Sequence, residues 1–147
     1  MSEYGTASDA VERMDDAQCW ERLATQELGR LVIRVGEVLD IFPVNYVIDD
    51  GGLVFRTAEG SKLFGLTVND EVLFEVDDHT DDAAWSVIVR GTAHRLESSA
   101  DVAAADALPL RPWIPTVKFS YVRIVPTSLS GRAFHRGPEP DWSTHSA

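Results

Sequence analysis

Polar and apolar residues alternate over much of the chain, and this period of two is typical of β-strands with one buried face. In the segment RLVIRV the alternation places Leu31, Ile33 and Val35 on the same side. We predict five further strands, in the segments VLDIFPVNYVI, LVFRT, EVLFEV, WSVIVRGTAHRL and VKFSYVRIVPTSLSGRAF. Six short strands joined mostly by tight turns indicate an antiparallel barrel or sandwich.

Glycine and proline residues mark where the predicted strands turn or bend. The sequence DDGG at 49–52 predicts a hairpin turn, because glycine readily adopts the positive φ angles that such turns need. Pro43 lacks a ladder donor and therefore predicts an edge, a bulge or a kink. Gly91 predicts a bulge or the close approach of another backbone. The sixth strand could be broken at Pro126.

Three segments favour short helices. Residues 9–24 carry apolar side chains at spacings near three and four, with acidic residues early and Gly29 as the expected C-cap. The segment GSKLFGLTVND is predicted to form a helix that begins near Ser61. The segment SSADVAAADALP combines a serine N-cap with a proline stop. We therefore expect a mainly β protein with short helices, and no Rossmann sheet.

The length of 147 residues favours one domain, and the chain has no linker, repeat or low-complexity block. We assign residues 1–147 to a single domain. Residues 1–7 and 138–147 are rich in small, polar and proline residues, so we expect both ends to fray.

The charge and the cysteine content restrict the partners and the compartment. The formal net charge of −11 disfavours nucleic acid, because phosphate backbones repel such a surface. The single cysteine, Cys19, cannot form an intramolecular disulfide and suits a reducing compartment. The first residues resemble no signal peptide, and no apolar run approaches the ~20 residues that span a bilayer. We expect a cytoplasmic protein with neither a membrane nor a nucleic-acid partner.

The common catalytic and metal-binding motifs are absent from the sequence. It contains no GxGxxG fingerprint, no P-loop and no GxSxG elbow. Its four histidines lie far apart and lack the spacing of metal ligands. The acidic run DDHTDD is typical of a solvated loop. We therefore predict no metal site and no catalytic acid or base.

The segment FRTAEGSKL gathers hydrogen-bond donors around a glycine. A strand is predicted to end near Thr57 and a helix to begin near Ser61, where free backbone N–H groups favour an anion. Arg56 adds a planar fork suited to phosphate, and Lys62 adds a second cation. The same residues could instead cap the helix and pair with acidic neighbours, so the segment alone leaves both interpretations open.

Several segments, in order, resemble one family. The segments LGRLVIRV, FPVNYVID, FRTAEGSKL, NDEVLFEVDD, WSVIVRGTAHRL and YVRIVPTSLSGRAF are similar to those of the pyridoxamine 5′-phosphate oxidase-like FMN-binding split-barrel family, in its small bacterial branch. The resemblance covers roughly residues 18–135. It implies an antiparallel six-stranded split β-barrel and a homodimer with FMN at the subunit interface.

The resemblance also implies positions around the cofactor. The phosphate would be held by the donors of FRTAEGSKL, and the flavin ring would lie near two strands. The implied cofactor-binding residues are Arg56, Thr57, Ser61, Lys62, Pro43, Val44, Asn45, Trp85, Ser86 and Val87. Asn45 could offer its amide to the ring or satisfy the local backbone at Pro43, and Trp85 could instead be a core residue.

The function implied is an FMN-dependent oxidoreductase acting on an unidentified small molecule. Pyridoxamine phosphate is not expected, because the residues that hold the substrate's phosphate in the true oxidase have no match here. The roles of Arg90, Trp113, Arg132 and His135 stay open. An F420-dependent reductase on the same fold is one alternative, and a non-catalytic flavin or haem carrier is another.

Overall fold

Seven antiparallel strands form a sheet that closes on itself in a computed structural model describing residues 11–58, 70–113 and 118–137. The strands are β1 (Val11–Met14), β2 (Leu28–Val35), β3 (Val38–Asp49), β4 (Gly52–Ala58), β5 (Glu71–His79), β6 (Ala83–Arg95) and β7 (Phe119–His135). The helices are α1 (Asp16–Leu23) and α2 (Ser99–Asp106). The order is β1-β7-β4-β3-β2-β5-β6, and pairing of β6 with β7 completes the ring. The six predicted strands form this ring, which confirms the split barrel, and β1 is an additional strand on β7.

The start of the first helix was predicted wrongly. Residues 11–14 form β1 and pair with β7 from Met14↔Gly131 to Val11↔Phe134. The helix begins only at Asp16, because Asp15 and Gln18 form a reciprocal capping box, with bonds of 2.8 and 2.9 Å. The helical spacing of the apolar residues in this stretch is overridden by pairing with a distant strand.

Gly29 was also predicted wrongly, as the C-cap of that helix. The helix is capped by Ala24, and Gly29 is a buried residue of β2. A Cβ at Gly29 would lie 2.4 Å from Cζ of Phe74. The glycine therefore makes room for an aromatic ring from β5.

The predicted hairpin turn at 49–52 is confirmed. Asp49 pairs with Gly52, and the two central residues, Asp50 and Gly51, have φ angles of 50° and 70°. Positive φ at both central positions defines a type I′ turn, which matches the twist of the flanking strands. Arg123 of β7 supports the turn by donating to the Asp49 carbonyl at 2.8 Å and to its carboxylate at 2.7 Å.

The predictions for Pro43 and Gly91 are confirmed. β3 pairs with β2 through residues 38–45 and with β4 only from Tyr46, so Pro43 lies where one edge of the described sheet is open. At Gly91 the register with β7 shifts, and a Cβ there would lie 2.3 Å from the Val125 carbonyl oxygen. β7 is not broken at Pro126, because this bulge accommodates the proline within a continuous strand.

Two apolar clusters stabilise the barrel. The main one fills its interior and includes the fully buried Phe55 and Phe74. The smaller one lies outside, where Ala105 of α2 packs near Val54 and Tyr121. α2 begins after Ser98, whose hydroxyl accepts from the Asp101 N–H at 3.1 Å, as the predicted serine cap requires. The helix thus covers the outer face of β4 and β7.

Neither described helix, at eight residues each, is long and apolar enough to cross a membrane. The predicted helix near Ser61 and the frayed ends predicted at 1–7 and 138–147 lie outside the described residues.

Candidate functional site

The outer face of the β3–β4 hairpin brings two predicted site residues together. Tyr46 pairs with Phe55, and both side chains are buried in the barrel. The next residues, Asn45 and Arg56, therefore point outwards, because side chains alternate along a strand, and the β3–β4 pairing ends just before them. Arg56 also pairs with Tyr121 of β7. A guanidinium and a side-chain amide thus share one outer face.

Arg56 is held in an unusual environment. Its guanidinium carbon lies 4.1 Å from the centroid of the Phe119 ring, which orients the planar group by a cation–π contact. Its Nε is buried and has no hydrogen-bond partner among the described residues. The neighbouring Tyr121 hydroxyl donates to Asp106 at 2.6 Å and also interacts with the Arg56 guanidinium. An unsatisfied buried donor is costly, and this one is shielded from solvent by the surrounding residues.

Asn45 is engaged by the protein itself. Its Nδ2 donates to the Glu27 carbonyl at 3.3 Å, and its Oδ1 accepts from the Trp113 N–H at 2.9 Å. These bonds satisfy backbone groups of Glu27 and Trp113, and neither bond involves the local backbone at Pro43. They also hold Trp113, whose side chain is 73% exposed, beside the hairpin. The contact of Asn45 with a flavin ring stays a prediction.

Of the other predicted site residues, Thr57 and Val44 belong to the inner side of their strands by the same alternation, and Pro43 belongs to the outer side. Thr57 is half-buried and pairs with Ser120. Pro43 is exposed, and Val44 packs against the core. Ser61 and Lys62 lie outside the described residues.

Trp85, Ser86 and Val87 do not meet Arg56 within one chain. Ser86 pairs with Arg132, and Arg56 pairs with Tyr121, eleven positions away on β7. At ~3.3 Å per residue the two places are up to roughly 36 Å apart along the strand. These two halves of the predicted site can therefore contact one flavin only if a second chain supplies one of them.

The side chains of Trp85 and Val87 belong to the core. Val87 is fully buried and Trp85 is 9% exposed. The outer ring face of Trp85 is covered by Arg22, whose guanidinium carbon lies 5.7 Å from its centroid. The core interpretation of Trp85 therefore describes this chain, and Ser86 is the member of the group that points outwards.

Apart from Trp113, the residues whose roles the sequence left open lie far from Arg56. Arg90 and Arg132 are exposed on β6 and β7, and His135 Nε2 lies 3.9 Å from Glu12 Oε1. None of the three joins Arg56. Over residues 11–58, 70–113 and 118–137, no group of three histidine, cysteine or carboxylate side chains is placed to hold a metal ion.

A charged cluster on β2 and β5 was missed in the sequence. Arg30 Nη1 contacts Glu75 at 2.9 Å and Asp77 at 3.0 Å, so one guanidinium serves two carboxylates. Burial and the neighbouring Asp77 raise the pKa of Glu75 to about 7, against the opposing effect of Arg30. The charged residues at outward positions of RLVIRV and EVLFEVD are visible in the sequence, but only the strand register shows that they are neighbours.

Glu75→Gln should change the pH dependence of stability. Because the pKa of Glu75 is raised in the folded state, that state binds more protons than the unfolded one between pH 4.5 and about 7. Ionisation of Glu75 therefore destabilises the wild type as pH rises through this window. Between pH 4.5 and about 7, we expect the free energy of unfolding of the wild type to fall by about 1–2 kcal/mol more than that of the variant, after allowance for solvent screening.

Chemical denaturation at a series of pH values measures this difference. Glu37→Gln removes the same charge in the exposed turn between β2 and β3 and serves as the control. If Glu75→Gln and Glu37→Gln follow the same pH profile, the shifted titration of Glu75 is wrong.

Comparison with known proteins places this fold in a family. A family model described as pyridoxamine 5′-phosphate oxidase matches residues 15–133, which is most of the chain. The chain belongs to this family. The family membership expected from the order of the sequence segments is therefore confirmed.

Solved structures and a curated relative agree with the assignment. A Corynebacterium glutamicum structure, named as a candidate pyridoxamine 5′-phosphate oxidase, is 44% identical with a TM-score of 0.79, covering 88% of this chain and 97% of that one. A Mycobacterium smegmatis FAD binding protein is 42% identical with a TM-score of 0.75, covering 86% of this chain and 100% of that one. The Mycobacterium tuberculosis protein Rv3129 is 46% identical over 91 residues, covering 62% of this chain and 83% of its own length.

Proposed function

We propose that this member of the pyridoxamine 5′-phosphate oxidase family binds a flavin and acts as a flavin-dependent oxidoreductase on a small molecule. The observation that carries the proposal is Arg56, a half-buried guanidinium that Phe119 orients on the outer face of β4. The flavin phosphate would accept from this group, with Thr57, Ser61 and Lys62 as the further donors predicted from the sequence.

The outer face of β3 is suited to the flavin ring. Pro43 and Asn45 lie on the outer side of β3, and no described strand pairs with the second edge of β3 at Pro43. Trp113 would limit water access from the side. The bound flavin would supply the redox chemistry, while these residues bind and orient it. No acid or base from the chain is required, in agreement with the absence of common catalytic motifs.

The proposal includes a choice of flavin. FMN is the cofactor implied by the ordered segments, and FAD is the second candidate because the 42% identical Mycobacterium smegmatis structure is named as an FAD binding protein. Titration of the flavin-free protein with FMN, FAD and F420, followed by fluorescence, ranks the three. If the protein binds F420 most tightly, its cofactor is a deazaflavin. Bleaching of the bound flavin by NAD(P)H in the absence of air would distinguish a reductase from a non-catalytic carrier.

A homodimer is part of the same proposal. Val38, Leu39 and Ile41 are 62%, 60% and 59% exposed, next to the unpaired edge of β3. Such an apolar strip is typical of an interaction surface. A second chain would cover it and could bring Ser86 towards the flavin that Arg56 holds.

Ile41→Asp should convert the dimer to a monomer, because it would bury a charge at the interface. Light scattering of wild type and variant measures the mass. Ala104→Asp, at an exposed position of α2, is the control and should leave the mass unchanged. A wild-type protein that is monomeric at all tested concentrations would remove the dimer and the shared site.

A further inference from the structure

A pocket of about 630 Å³ lies between α2 and the outer face of β7. Its apolar wall combines the ring of Phe119 with Leu96 and Val102, which belong to the apolar cluster on the outside of the barrel. Glu97 and Asp106 add two carboxylates to the lining. The volume falls within the range of about 300–1,000 Å³ that is usual for small-molecule sites. We refer to this feature as the α2 pocket.

The α2 pocket adjoins the guanidinium that is proposed to hold the flavin phosphate. Phe119, in the wall of the pocket, has the Arg56 guanidinium carbon 4.1 Å from its ring centroid. Tyr121 also lines the pocket, and it is the partner of Arg56 in the β4–β7 ladder. A ligand whose phosphate contacts Arg56 therefore has space for a further group on the β7 side.

The proposed cofactor positions follow the order of three neighbouring strands. The ring position is on the outer side of β3, Arg56 is on β4, and the pocket borders β7, and these strands are adjacent in this order. Neighbouring strands lie about 4.8 Å apart, so the three positions follow one another across the sheet. In FAD the ring, the phosphates and the adenosine are joined in the same order. FMN ends at its phosphate and would leave the pocket empty.

The α2 pocket is separate from the apolar strip that the proposed dimer covers. It shares no residue with Val38, Leu39 and Ile41, which lie beside the open edge of β3. β4 lies between that strand and β7. Contact of a second chain with the strip therefore does not itself close the pocket.

The charges of the pocket suit a neutral group that carries hydrogen-bond donors. Its lining sets the carboxylates of Glu97 and Asp106 against the guanidinium of Arg95, which disfavours a phosphate inside the pocket. A carboxylate accepts hydrogen bonds from hydroxyl groups, and acidic side chains bind the ribose hydroxyls of dinucleotides in this way. One Asp106 oxygen already accepts from the Tyr121 hydroxyl at 2.6 Å, so Glu97 is the better placed acceptor. The Phe119 ring offers an apolar surface to a base.

We infer that the α2 pocket binds the adenosine of FAD, and that FAD rather than FMN is the cofactor. The adenine base packs on Phe119 and Val102, the ribose hydroxyls donate to Glu97, and the phosphates lie at Arg56. The inference rests on the proposed flavin site, and it adds the place of the second nucleotide and a reason for choosing between the two flavins.

Filling the pocket and comparing two flavins tests the inference. Val102→Phe places a larger side chain in the α2 pocket, and Ala103→Phe adds the same ring at an exposed position of α2 that does not line it. Fluorescence titration of the flavin-free full chain measures both affinities, and circular dichroism checks each fold. We expect the wild type to bind FAD about tenfold more tightly than FMN, as one further contact predicts. Val102→Phe should abolish this preference without changing the affinity for FMN, and Ala103→Phe should retain it.

Glu97→Gln tests the ribose contact, with a sign opposite to that expected from charge alone. FAD is an anion and the chain carries a net charge of −11, so removing a carboxylate should strengthen binding if only charge matters. We expect instead that FAD binds about tenfold more weakly and FMN as before, because a charge-assisted hydrogen bond is lost. Asp101→Asn removes an exposed carboxylate of α2 outside the pocket and should not weaken FAD binding. An increase in FAD affinity in Glu97→Gln would overturn the inference.

The outcomes separate this inference from the proposed function. Equal affinities for FAD and FMN in the wild type, or an FAD preference that survives in folded Val102→Phe, would contradict the α2 pocket and leave the flavin site intact. A protein that binds neither flavin would contradict both. NADH carries the same adenosine diphosphate group. Binding of NADH to the FMN-loaded protein that is lost in Val102→Phe would assign the pocket to a redox partner and overturn its assignment to FAD.

Discussion

Phe74→Ala is expected to lower the free energy of unfolding by about 3–5 kcal/mol, the usual cost of truncating a fully buried aromatic residue. Phe74 is 0% exposed, and its ring meets that of Tyr46 edge to face, with centroids 5.1 Å apart. It also occupies the space beside Gly29, where a Cβ would approach to 2.4 Å. The truncation leaves a cavity among β2, β3 and β5, the strands that carry the outer face of the proposed site.

Urea denaturation measures the loss, and Phe134→Ala provides the control at a phenylalanine that is 38% exposed. The control should cost less than about 1.5 kcal/mol. Gly29→Ala should destabilise the wild type but much less the Phe74→Ala variant, because the ring that it meets is then absent. Similar losses in Phe74→Ala and Phe134→Ala would contradict the packing of β5 against β2.

Arg56→Gln is expected to weaken flavin binding about 10- to 100-fold, because it removes a charge-assisted contact worth about 1.5–3 kcal/mol. The contact with Phe119 already orients the guanidinium, so a phosphate that it meets costs little further side-chain ordering. Lys62→Ala is predicted to weaken binding as well, if the donors of FRTAEGSKL act together. Fluorescence titration of the flavin-free protein measures both affinities.

The control for this prediction is Arg136→Gln, which removes an equal charge near the end of β7. Its flavin affinity should match that of the wild type. The phosphate site is misplaced if a folded Arg56→Gln protein binds flavin as tightly as Arg136→Gln. Circular dichroism shows whether the variant retains its fold.

Features decided by neighbouring residues could be predicted from the sequence. The DDGG turn and the Ser98 cap depend on contacts within four residues, and both have the predicted form. Pro43 and Gly91 were predicted because proline lacks a donor and glycine lacks a Cβ, and these properties hold wherever the strand lies. The six strands of the ring follow from alternation alone.

Features decided by distant contacts could not be predicted. β1 is a strand because it pairs with β7, more than a hundred residues later, although its apolar spacing favours a helix. A glycine is needed at position 29 because the Phe74 ring of β5 occupies the space that a Cβ would take. The candidate site shows the same division: Arg56 and Asn45 come together through a local hairpin, whereas Ser86 is separated from them by the register of β7.

The visible absorption spectrum of the freshly purified protein, with chromatography of the released chromophore, tests the central claim most directly. The account predicts a yellow protein with flavin bands and the release of FMN or FAD in near-stoichiometric amount. A colourless protein that takes up neither FMN nor FAD when they are added, or one whose spectrum is that of haem, would contradict it.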